Sequence, residues 1–129
     1  MYTTASINTS ATIVAPAGAE ITGVIGKAIK FDGEGHAVVA STAGEKVMGI
    51  AVLTHADTVA KGEDITIQVK EIGKAVAGAA FAKGAELATN AKGELVTATT
   101  GQFVVATALQ AANAAGHIVD VQITKYYNK

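Results

Sequence analysis

The sequence predicts an all-β fold, a compact barrel or sandwich of short strands built from two similar repeats and preceded by an extended N-terminal arm. Three observations carry this. Short runs such as Ile65-Thr66-Ile67-Gln68-Val69 alternate apolar and polar residues, the period of a half-buried strand. Fourteen glycines break the chain into pieces of strand length. The glycine pattern also recurs: Gly26, Gly35, Gly44 and Gly62 are followed by Gly84, Gly93, Gly101 and Gly116, at offsets of 58, 58, 57 and 54. Between them Asp32 matches Asn90, Ile29 matches Leu87, Met48-Gly49-Ile50-Ala51-Val52 matches Val105-Ala106-Thr107-Ala108-Leu109, and Ile67-Gln68-Val69 matches Val121-Gln122-Ile123. A drifting offset is what length changes in loops produce, since loops tolerate them and strands do not.

Taken in order, residues 1–15 form the arm and 16–129 a single β domain, with repeat one at 26–69, a linker at 70–83 and repeat two at 84–123. Residues 1–10 are uncharged and rich in Thr, Ser and Asn, unable to build a core but able to pair their backbone with another surface. A short strand over 11–15 runs into Pro16, which lacks an N–H and so ends a strand or keeps it at an edge. In repeat one, strands over 28–31 and 36–41 flank the turn Asp32-Gly33-Glu34-Gly35. The strand over 47–53 is apolar on both sides, with Met48, Ile50 and Val52 on one and Val47, Ala51 and Leu53 on the other, so both need cover. The strand over 65–70 completes the unit. In the linker, 73–78 reads as extended chain and Ala79-Ala80-Phe81-Ala82 as one helical turn, because alanine favours helix. Repeat two follows with strands over 86–89, 94–99, 102–110 and 118–125.

Composition limits the function. One domain of 129 residues with 50% apolar content folds, but aromatics are only 5% and 27 residues are alanine, so each buried side chain contributes little area. Association with neighbours is one way to bury more. A net charge of −1 with charges scattered singly supports neither nucleic-acid binding nor electrostatic membrane attachment. Without cysteine there are no disulfides, thiolate metal sites or cysteine nucleophiles. The first residues lack the basic and apolar regions of a secretory signal, and no apolar run reaches membrane-span length, so synthesis as a soluble cytoplasmic protein is expected.

Chemistry is equally sparse. His36, His55 and His117 stand singly, none at metal-ligand spacing. Asp32-Gly33-Glu34-Gly35 lacks the spaced oxygens of a calcium loop. The nucleophile-elbow, phosphate-loop and His-Glu-x-x-His patterns are missing. The expectation is no enzyme, with no catalytic, cofactor-binding or metal residues and no cofactor.

From Phe81-Ala82-Lys83-Gly84-Ala85-Glu86-Leu87 through Asn90-Ala91-Lys92-Gly93-Glu94-Leu95-Val96-Thr97-Ala98 to Val104-Val105-Ala106-Thr107-Ala108-Leu109 and Val119-Asp120-Val121-Gln122-Ile123, the chain resembles the small head-decoration, or capsid cement, proteins of tailed bacteriophages. It departs from them at Ala106, where glycine is expected. The resemblance implies a non-enzymatic virion protein, made in the host cytoplasm, that binds the major capsid protein on the outer surface of the head and stabilises the shell by bridging its subunits, commonly as a homotrimer. The alternatives are a trimeric phage fibre or receptor-binding head module and a small-ligand-binding β barrel. The residues expected to meet the capsid lie in the arm: Thr3, Thr4, Ile7, Thr9, Thr12, Ile13 and Val14.

Overall fold

The structure, a computed structural model, describes residues 10–54 and 57–128. These form twelve strands and no helix. Sheet one contains β1 (Thr12–Pro16), β3 (Ala28–Phe31), β4 (Ala37–Val39), β5 (Gly49–Thr54) and β7 (Asp64–Gln68), in the order β1-β7-β5-β3-β4. A short pair, β2 (Ile21–Thr22) with β6 (Thr58–Val59), lies apart from it. Sheet two contains β8 (Glu71–Val76), β9 (Glu86–Thr89), β10 (Leu95–Thr97), β11 (Phe103–Ala108) and β12 (Ile118–Tyr127), in the order β8-β12-β11-β9-β10. All pairings within the two sheets are antiparallel.

Matched in chain order, the two sheets have one strand order: β1, β3, β4, β5 and β7 occupy the places of β8, β9, β10, β11 and β12. The connections match as well. Ala17, just after β1, bridges Ala37 of β4 at the opposite edge, and Ala77, just after β8, bridges Leu95 of β10, so each sheet closes on itself in the same way. Gly26 and Gly84 donate to the Ala51 and Ala108 carbonyls, and Gly62 and Gly116 to those of Ala17 and Ala77. The eight glycines that recur in the sequence all have positive φ, between 75° and 90°. That conformation strains any residue with a Cβ, which is why glycine marks the same turns in both units.

Packing explains the two-faced strand. Ala51 joins a core built only from the first half of the chain, with Ala15, Ile29, Val59, Ile65 and Ile67. Its neighbour Ile50 joins Ala28, Ala40 and Val47 in a second core with Leu87, Leu95, Phe103, Val105, Val119 and Val121 of repeat two. Sheet one is thus covered on one face by its own closure and on the other by sheet two. Backbone bonds cross the same junction: Ala28 N–H to Gly93 O at 2.7 Å, Gly44 N–H to Thr89 O at 2.9 Å and Val76 N–H to Gly26 O at 3.0 Å.

Two segments differ from the sequence expectation. The helical turn at Ala79–Ala82 does not form; Phe81 exchanges both backbone bonds with Ala112, at 3.0 Å each, and this pairing overrides the helix propensity of alanine. Residues 70–83, read as a linker, contain β8, the edge strand of sheet two. The strand expected over 11–15 forms as β1, Thr12–Pro16, which is the edge strand of sheet one and ends on Pro16.

Candidate interaction surfaces

Exposed apolar side chains collect at two places. The first is the outer face of β8 and β12. The register pairs Ile118 with Val76, Asp120 with Lys74 and Gln122 with Ile72, and these residues alternate with the buried Val119, Val121 and Ala75. Ile72 and Ile118 are 62% and 63% exposed on a face that otherwise carries the Lys74–Asp120 ion pair, 2.6 Å long. Beside it a groove of about 360 Å³ runs between the repeats, lined by Ile25, Val52, Gln68, Gly73, Lys74 and Ile118. Its polar wall is satisfied: Gln68 Nε2 donates to the carbonyls of Lys70 and Ile72, both at 2.9 Å, and Gly73 leaves room for the carboxamide, which a Cβ there would strike.

The second surface lies where β12 changes direction. Opposite Val104–Ala106 of β11 the ladder register slips, and Lys125 takes φ +49°, unusual for a residue with a long side chain. The bulge sends Lys125 Nζ to the Met48 carbonyl at 3.1 Å and leaves Tyr126 and Tyr127 exposed. Tyr127 meets Phe103 edge to face, ring centres 5.1 Å apart. Lys46, Val47, Met48, Phe103, Lys125, Tyr126 and Tyr127 line a groove of about 420 Å³, and Lys46, Val47 and Met48 also line its neighbour, which continues to Phe31, Lys30 and Glu45. Burial, and then the charge of Lys46, push the Lys125 ammonium pKa below its ordinary value.

Of the residues expected in the arm, Thr3, Thr4, Ile7 and Thr9 lie outside the described residues. Thr12, Ile13 and Val14 stand in β1. Ile13 packs against the core that holds Ala51, whereas Val14 is 59% exposed on the edge strand. His55 also lies outside the described residues. His36 sits near Asp32, with Nδ1 3.7 Å from Oδ2, and His117 is exposed with its carbonyl accepting from Ala77 N–H. Among the described residues no group of three or more His, Asp or Glu side chains could hold a metal ion, and no buried side-chain polar atom lacks a partner. Sequence reading missed Ile72, Ile118 and the Lys46–Lys125 groove. For Ile118 a signal existed, because it shares the outward register of Asp120, Gln122 and Thr124 in an otherwise alternating strand. For the groove none did, since its two sides are brought together only by the junction of the repeats.

No protein-family model and no curated protein matches the chain. Among solved structures, the chain is similar to the N base of the head fiber gp8.5 of bacteriophage phi29 in its crystal structure. The TM-score is 0.67 at 17% identity, over 92% of this chain and 97% of that one. At this identity what the two share is the fold, an all-β build that extends over nearly the whole of both chains.

Proposed function

We propose that this protein is a structural capsid decoration protein, which binds the outer surface of a phage head and stabilises it by bridging subunits of the major capsid protein. The observation that carries the reading is the near-complete fold likeness to the base of a phage head fiber, in a chain whose notable surface features are exposed apolar faces. Exposed apolar groups gathered on one part of a small protein's surface are a mark of contact surfaces. The same likeness favours a second reading, in which the chain is the base module of a head fibre. Either role places it on the virion, after synthesis in the host cytoplasm, with no enzymatic activity, no nucleic acid and no membrane as partner. Assembly as a homotrimer suits a core rich in alanine, which gains most from added burial.

Within this reading, residues 1–15 make a large part of the contact with the shell. Thr3, Thr4, Ile7 and Thr9 have the composition of a segment that pairs its backbone along an exposed strand edge, and Thr12, Ile13 and Val14 connect it to sheet one. Fixing each arm residue costs about 1–2 kcal/mol of conformational entropy, so docking requires a surface that returns comparable pairing and burial. The test is deletion of residues 1–10, which stops short of β1 and spares the fold. Occupancy on expanded shells, and the temperature at which the decorated shells break, should both fall. Unchanged occupancy and shell stability would remove the arm from the contact, and failure of the intact protein to bind shells would remove the function.

A further inference from the structure

The groove around Lys125 gathers two ammonium groups with no carboxylate partner among the described residues. Lys125 is half-buried, has positive φ and has Lys46 as its charged neighbour. The acidic side chain that lines the adjoining groove, Glu45, is already taken: its Oε1 is 3.0 Å from Lys30 Nζ, and its Oε2 accepts from the N–H groups of Ser41 and Thr42, both at 2.8 Å. Among the described residues neither Lys46 nor Lys125 has a carboxylate within ion-pair distance; the ion pairs present involve Lys30, Lys74 and His36. Lys125 Nζ donates to the Met48 carbonyl at 3.1 Å, which satisfies one donor but leaves its charge without a counter-charge, and a positive-φ backbone that holds a half-buried ammonium this way favours the arrival of a carboxylate. Around the two lysines stand Met48, Tyr126 and Tyr127, with Phe31 at the far end, so the groove couples positive charge to apolar and aromatic surface.

We propose, resting on the capsid reading above, that this groove seats an acidic segment of the shell protein, an Asp or Glu carboxylate between Lys46 and Lys125 with an apolar neighbour against Met48 and the tyrosines. Charge complementarity selects the partner. The chain's charge is nearly balanced overall, so the groove is a local excess rather than part of a basic face. Phosphate backbones are followed by extended stripes of lysine and arginine, and this chain has no arginine at all. Two ammonium groups beside aromatic rings instead suit one carboxylate on a peptide whose other side chains are apolar.

A zero-length carbodiimide crosslinker, which joins an amine to a carboxylate already in contact with it, tests the assignment on decorated shells. The shells carry a mixture of isotopically light and heavy copies of the protein. Mass spectrometry should find Lys46 and Lys125 joined to Asp or Glu of the shell protein, and Lys46→Glu, in an exposed loop where folding is not at risk, should weaken attachment at least tenfold. Decorated shells in which these two lysines stay unlinked, or are linked between light and heavy copies, overturn the proposal, as does full affinity of the Lys46→Glu variant. These results leave the capsid reading standing, because decoration itself is observed. Binding to nucleic acid in place of shells would overturn both.

Discussion

At the β3–β4 turn of repeat one, Asp32 Oδ1 accepts from the N–H groups of Glu34 and His36, both at 2.9 Å; at the β9–β10 turn of repeat two, Asn90 Oδ1 accepts from Lys92 at 2.9 Å and Glu94 at 3.0 Å. At the next turn Glu45 accepts from Ser41 and Thr42, where Gln102 accepts from Thr99 at 2.9 Å. The geometry is shared, but repeat one makes it with carboxylates and repeat two with neutral amides. Surroundings differ too. Gly35, at the first turn, faces open space, while Gly93, its counterpart, is buried against Val39 and the Ala28 carbonyl of repeat one. Gln68 is buried under β8, while its counterpart Gln122 is exposed. The two segments therefore share turns and strand order, and position in the molecule decides which of the matched positions are covered.

The largest expected break in this comparison is at Gly49 and Ala106, which match in sequence. A Cβ at Gly49 would fall on the backbone carbonyl of Gln68, which cannot swing aside as a side chain can, whereas Ala106 already holds a buried methyl group. Gly49→Ala should destabilise by about 3 kcal/mol and Ala106→Gly by about 1 kcal/mol in chemical denaturation. Equal effects would mean that the two central strands are equally close to their neighbours.

A smaller effect separates the repeats in acid. The backbone N–H groups of His36 and Glu34 hold the Asp32 carboxyl below its ordinary value, with help from the His36 imidazole. For Glu45, burial is the largest influence and acts upward, but the Thr42 N–H, the Lys30 ammonium and the Ser41 N–H together outweigh it, and its carboxyl is also held low. A depressed carboxylate contributes stability that is present above its unfolded value and lost as pH falls through the folded one. Hydrogen exchange, corrected for intrinsic rate, should show the amides of Glu34, His36, Ser41 and Thr42 losing protection below the ordinary carboxylate range while those of Lys92, Glu94 and Thr99 keep it. Parallel loss in both repeats would show that global unfolding comes first.

Smallest of all should be Asp32→Asn, which gives the first turn the side chain of the second. Stability at neutral pH should change little, and the acid sensitivity of Glu34 and His36 exchange should shrink toward that of Lys92 and Glu94. An unaltered acid profile would place the sensitivity at Glu45 and its Lys30 partner instead.

The sequence by itself determined the all-β class, most strand positions and the turns, because alternation and positive-φ glycines are local constraints that hold wherever the strand ends up. It also marked 47–53 as needing cover on both sides, from the apolar residues at both odd and even positions of the strand. Only the tertiary structure decided what supplies that cover, that Phe81 pairs with Ala112 instead of turning a helix, and that β8 closes sheet two. Nor could the sequence place Lys46 beside Lys125 or leave Ile118 outside while its neighbours Val119 and Val121 are buried. Such outcomes depend on which surfaces two similar units turn toward each other, a choice made by packing between residues far apart in the chain.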